Sequence, residues 1–204
     1  MALFRRAPQG RPDRPTHTRA RPSLEELETR VVPYATTGSL WPHPEVVTIS
    51  FVEDGTLMTS GSGGNVYSDM FETFDARWST QEWQAEIIKA AQLWAQYANV
   101  NFTVVGDNGT TSGQGSYQQG DSGMGDIRVS GYGYNNNYLG VAYLPPPTNN
   151  YSIAGDLSFN TNQTWNVGST YDLQTVALHE VGHALGLSHT TVSGAVQYAS
   201  YNGL

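Results

Sequence analysis

The chain has 204 residues, 18 acidic against 10 basic side chains, a formal net charge of −8 and no cysteine. That length holds one ordinary domain with a tail. Disulfides are excluded as its staple, and no apolar run approaches the ~18 residues of a membrane-spanning helix. An acidic body argues against nucleic-acid binding, which calls for a basic face.

Seven of the ten basic residues fall in the first 30 positions (Arg5, Arg6, Arg11, Arg14, Arg19, Arg21 and Arg30), among several prolines and few apolar residues. This composition predicts a disordered basic tail over residues 1–39 and a domain over residues 40–204. The tail lacks the continuous apolar core of a secretory signal peptide. Residues 46–52 alternate apolar and polar side chains, as a half-buried strand does. Residues 53–79 are punctuated by Gly and Ser and read mostly as loop. A helix then starts at a capping box, Ser79 with Glu82 three residues on. Its apolar stripe is Trp83, Ile87, Ala90, Ala91, Trp94 and Ala98.

Residues 101–105 read as the next strand. The domain therefore opens β–α–β, and a right-handed crossover makes those strands parallel. After a polar loop over 106–125, short strands are expected at 126–129, at 138–143 (stopped by Pro145-Pro146-Pro147) and at 156–159. A second long helix is expected to begin near Ser169, with Asp172 in its first turn. Its core face is Leu173, Val176, Ala177, Val181 and Ala184.

That helix carries His179-Glu180-Val181-Gly182-His183-Ala184-Leu185-Gly186-Leu187-Ser188-His189, which holds three of the five histidines. Positions four apart share a helix face, so the imidazoles of His179 and His183 can converge on one ion. Gly186 tolerates a positive φ and lets the backbone turn out of the helix, which brings His189 round as a third ligand. Three neutral imidazoles with a fourth position left for water describe a catalytic zinc site rather than a closed structural one. Glu180 points toward the open side of the metal, where a carboxylate can take the proton of an attacking water and pass it to a leaving amine.

This motif resembles the zinc signature of the metzincin endopeptidases, and within them it is most similar to the matrixins. The resemblance runs from about Trp41 to the C-terminus and is strongest over the last third. It implies an α+β domain with a twisted, mostly parallel sheet and two long helices. It also implies one catalytic zinc, protein or peptide substrates, and a monomer working outside the cell. Residues 24–33 are similar to a short N-terminal segment of large extracellular proteins of certain bacteria, which also points to export. In the matrixin pattern the segment ending at Tyr143 resembles the edge strand against which an extended substrate pairs, making Val141 and Tyr143 candidate substrate contacts. Tyr201 resembles the wall of the pocket for the side chain after the cleaved bond.

The resemblance also implies a calcium site at Asp126 and Asp156, with carbonyls near Ser152 and Ala154. A further calcium site of the family is not expected, because Asn160 and Gln163 stand where acids would be. Nor is a structural zinc. Val141 and Ser158 replace two of its histidines, and the Asn135-Asn136-Asn137 loop offers none. The cysteine-based latency of many matrixins is excluded too. Gln197 replaces the methionine that floors the family's zinc site. A buried amide there must find partners or cost about 1–3 kcal/mol, which predicts a looser site or lower stability. The sequence ends at Leu204, where family members usually add a helix, so a fragment or a domain without its last helix is expected.

Two functions fit these residues. One is a zinc-dependent endopeptidase with Glu180 as general base. The other is a non-catalytic zinc- or calcium-binding extracellular module derived from such an enzyme, in which Glu180 would have no duty.

Overall fold

The computed structural model describes residues 35–61, 64–134 and 137–201. The disordered tail expected over residues 1–39 lies outside the described residues as far as residue 34, as do two positions of the Asn135–Asn137 loop. Residues 35–39, expected within that tail, are described, with Ala35–Thr36 in a strand. Strand β1 (Ala35–Thr36) is followed by β2 (Val47–Phe51), a hairpin of β3 (Leu57–Gly61) and β4 (Gly64–Tyr67), and helices α1 (Met70–Asp75) and α2 (Thr80–Ala95). Then come β5 (Phe102–Val104), β6 (Ile127–Tyr132), β7 (Gly140–Ala142), β8 (Leu157–Asn160), helix α3 (Leu173–Ala184) and β9 (Leu187–Ser188).

Five strands form the main sheet in the order β5-β2-β6-β8-β7. The first four are parallel, in registers such as Val47↔Phe102, Ile49↔Ile127 and Val129↔Leu157, while β7 runs antiparallel to β8. The expected β–α–β opening with parallel strands is present, and the α+β class with its mostly parallel sheet and two long helices holds. The strand expected to end at Tyr143 is the sheet's edge.

The capping box at Ser79 and Glu82 starts α2 with both reciprocal bonds in place. Trp83, Ile87, Ala90, Ala91 and Trp94 are buried against the sheet residues Ile49, Phe51, Ile127, Val129, Leu157 and Phe159. Each fully buried large side chain contributes about 1.5–3 kcal/mol. Ala98 does not belong to this stripe, because the helix ends at Ala95 and Ala98 is exposed. Trp94 donates its indole N–H to the Leu178 carbonyl at 2.9 Å, tying α2 to α3.

Residues 53–79, read above mostly as loop, hold the β3–β4 hairpin and α1. The apolar pair Met70 and Phe74 anchors α1, but its N-terminus is closed from a distance. The Asp54 carboxylate accepts the Phe71 and Glu72 amides at 2.9 and 2.7 Å, a cap that no local pattern announces. Helix α3 also starts later than expected. Asp172 is its N-cap rather than a first-turn residue, accepting the Thr175 amide at 2.8 Å. Tyr171, just before it, sits at φ +56°, which no helix can continue through.

Candidate metal centre

Helix α3 presents His179 and His183 one turn apart, and the chain leaves the helix through Gly186 at φ +95°. A Cβ at Gly186 would collide with the Ser39 carbonyl oxygen, so the turn needs glycine for space as well as for conformation. His189 then swings back. The Nε2 atoms of the three rings lie 3.0 Å (His179–His183), 3.1 Å (His183–His189) and 3.3 Å (His179–His189) apart. Among the described residues this is the group of three or more His, Cys, Asp or Glu side chains that converges closely enough to hold a metal ion.

The second ring nitrogens decide the tautomers. His179 Nδ1 donates to the Val196 carbonyl and His183 Nδ1 to the Leu187 carbonyl, both at 2.8 Å. A carbonyl only accepts, so both protons sit on Nδ1 and the facing Nε2 atoms carry bare lone pairs. Lone pairs 3.0 Å apart repel unless a cation lies between them. Protons are a poor substitute, because burial pushes both rings toward the neutral form, His183 down to about 4. Nitrogens bound tetrahedrally at about 2.0–2.1 Å stand about 3.3–3.4 Å apart, close to the spacing here. The donor set and its geometry fit zinc.

Glu180 lies beside the histidines at 5 % exposure, and burial raises its carboxyl to about 8. Gly140 of the edge strand β7 makes its room, since a Cβ there would stand 2.7 Å from Glu180 Oε1. A nearby dication favours the ionised form of such a buried carboxyl. Glu180 and the histidines line a cleft of about 960 Å³, walled on one side by β7 and on the other by the segment 194–201.

Of the expected substrate contacts, Val141 lines this cleft at 40 % exposure and so does Tyr201. Tyr201 stands edge-on to Tyr171 with ring centroids 5.6 Å apart, and its hydroxyl accepts the Asp172 amide at 3.1 Å. Tyr143 follows β7 but is not among the lining residues. Residues not singled out from sequence also line it, among them Thr37, Gly140, Tyr171 and Thr175. Leu187 and Val196, whose carbonyls orient the rings, carry no side-chain signal for that duty.

Gln197 is fully buried. Its Nε2 donates to the His179 carbonyl at 2.8 Å while its Oε1 has no partner. Gly182 makes space for this side chain, because a Cβ there would collide with Gln197 Nε2.

The carboxylates of the expected calcium site have protein duties. Asp126 accepts the Thr48 amide and hydroxyl at 2.8 and 2.9 Å and the Gly120 amide at 2.6 Å. Asp156 accepts the Arg128 amide at 3.1 Å, and its other oxygen is buried without a partner. Burial raises this carboxyl to about 8 against the opposing charge of Arg128. Asp126, Ser152 and Ala154 wall a small cavity of about 20 Å³, and Asp156 is not one of its walls. Ser158 shares a 2.6 Å hydrogen bond with Ser130.

Residues 66–204 match the family model described as Matrixin. The chain belongs to the matrixin family. Karilysin of Tannerella forsythia is 35% identical over 129 residues, which is 62% of this chain and 26% of the relative. Interstitial collagenase of Equus caballus is 38% identical over 116 residues, 56% of this chain and 23% of the relative. The hatching enzyme of Paracentrotus lividus is 33% identical over 180 residues, 85% of this chain and 24% of the relative. The chain thus matches about a quarter of the length of each of these three relatives. Matrixins use zinc, and among the described residues the three histidines of this matrixin are a group that could hold a metal ion.

Proposed function

We propose that this matrixin is a zinc-dependent endopeptidase that hydrolyses internal peptide bonds of proteins. The convergence of three imidazole Nε2 atoms inside a cleft, with a buried carboxylate next in sequence to the first of them, carries this reading. His179, His183 and His189 would hold the ion. Zinc supplies a Lewis acid and a water of lowered pKa at such a site. Glu180, held in the cleft wall against Gly140, accepts the proton of the attacking water and delivers it to the leaving amine. The backbone of β7, at the free edge of the sheet, offers hydrogen bonds to an extended peptide whatever its side chains. Val141 and Tyr201 flank that path.

Substrates are thus protein segments in extended form, and the setting is extracellular, in keeping with the family and with the export-like stretch at residues 24–33. Among the described residues no helix is long and apolar enough to cross a membrane. A non-catalytic metal-binding module is the competing reading, and the partnerless Oε1 beneath the site favours it. Zinc content and cleavage of an unfolded protein decide between them. An enzyme retains zinc in both wild type and Glu180→Ala, and Glu180→Ala lowers turnover about 10²–10⁴-fold. A wild type that binds zinc but cleaves nothing refutes the enzyme.

A further inference from the structure

We propose that residues 35–41 form a strap that positions the metal-binding histidines, with Thr37 as its positioning residue. This rests on the zinc reading above. The strap is visible in the fate of the carbonyls at the end of α3. The last carbonyls of a helix have no partner within it and must find one elsewhere. Leu185 and Gly186 amides close back on Val181, Gly182 and His183. The Ala184 carbonyl instead receives the Trp41 indole N–H at 2.8 Å. The Gly186 carbonyl receives two donors from one residue, the Thr37 amide at 3.0 Å and the Thr37 hydroxyl at 2.7 Å. Leu187 and Ser188 then pair with Thr36 and Ala35 as a two-stranded ribbon.

These bonds fall where the ligand geometry is set. Gly186 is the turn that sends the chain toward His189. Leu187 supplies the carbonyl that fixes the tautomer and orientation of the His183 ring. Ser188 is the residue before His189. Residues 35–37 therefore grip the backbone of Gly186–Ser188, the part of the interval that leads into the third ligand, while Trp41 holds Ala184 at its start. Thr37 also lines the cleft that holds the three histidines. Groups that orient metal ligands, although not ligands themselves, typically change metal affinity 10–100-fold when removed. Thr37 acts one step further away, through the Gly186 carbonyl, so a smaller effect is expected.

The test uses the full chain. Thr37→Val keeps the shape of the side chain and removes the hydroxyl donor, whereas Thr37→Ser keeps the donor. Zinc affinity is read by competition with a chromophoric chelator, and ligand geometry by the absorption bands of the cobalt(II)-loaded protein. Thr37→Val is expected to weaken zinc binding about three- to tenfold and to shift the cobalt bands. Thr37→Ser is expected to stay within about twofold of wild type. A Thr37→Val protein with unchanged affinity and spectrum overturns the strap, and so does a Thr37→Ser protein as weak as Thr37→Val.

A second measurement needs no variant. Coupling is reciprocal, so zinc must slow hydrogen exchange of the wild-type Thr37 amide, here by about threefold or more. Unchanged exchange on zinc addition overturns the proposal even if Thr37→Val fails to fold. A wild type that takes up neither zinc nor cobalt defeats the zinc reading and the strap together, while normal uptake with an indifferent Thr37 defeats the strap alone.

Discussion

Replacing Gln197 by Met should make the metal-free protein more stable. Gln197 is fully buried with its Oε1 unpartnered, and a buried acceptor without a donor costs about 1–3 kcal/mol. Removing the amide also removes the bond from Nε2 to the His179 carbonyl, a loss of about 0.5–1.5 kcal/mol. That carbonyl is not orphaned by the change, since within α3 it faces the amide of His183 one turn on. Methionine has nearly the same length, is flexible enough to fill the vacated space, and buries no polar atom except a weakly polar sulfur. The balance favours Gln197→Met by about 0.5–1.5 kcal/mol. At about 2–4 °C per kcal/mol for a chain of this size, the midpoint should rise by roughly 1–6 °C. The assay is thermal unfolding in excess chelator, with Gln197→Ala as the cavity control expected to lose stability. A Gln197→Met midpoint at or below wild type would refute the reasoning, because the His179 contact would then outweigh the stranded oxygen.

Glu180→Gln gives a pH test in the same chelator. Burial raises the Glu180 carboxyl to about 8 from an unfolded value of 4.5. Between those values the folded state holds a proton that the unfolded state has lost, so wild-type stability falls as pH rises, by up to about 1.4 kcal/mol per unit. Gln does not titrate, so its advantage over wild type should grow from pH 4.5 to about 8 and shrink when zinc is added; a pH-independent gap contradicts the assignment. Asp107→Ala addresses a different part of the domain. Arg128 is buried and held by Asp107 through two bonds of 2.8 and 2.6 Å, so the variant strands a guanidinium and should lose about 3–5 kcal/mol in denaturant unfolding. A loss under about 1 kcal/mol would show that water or Asp156 takes over the charge.

What could be read from the residues alone follows a physical divide. The α2 stripe, the capping box and the parallel opening were legible because period, cap and crossover are local or follow from chirality. The three histidines were legible because their offsets match one helical turn and one glycine-permitted exit. The pieces that escaped are held by distant partners. Helix α1 is capped by Asp54, 17 residues before Phe71, only in the folded chain, and residues 35–37 are paired with Gly186–Ser188, just beyond α3. A low-apolar, proline-flanked stretch gives no hint of a strand when its partner is about 150 positions away. The late start of α3 escaped for another reason, since the left-handed Tyr171 carries none of the glycine or asparagine signal that usually marks such a turn.

The two acceptors that aim the imidazoles, on Val196 and Leu187, belong to the main chain. Swapping either side chain cannot delete an oxygen that every amino acid supplies. Aim is thus insured against ordinary point mutation at those two places and fails only when the path of the polypeptide itself is displaced. Variation at 187 and 196 should therefore tune the rim of the groove while leaving the rings as they are, which makes these positions natural sites for altering selectivity without disturbing the chemistry beneath.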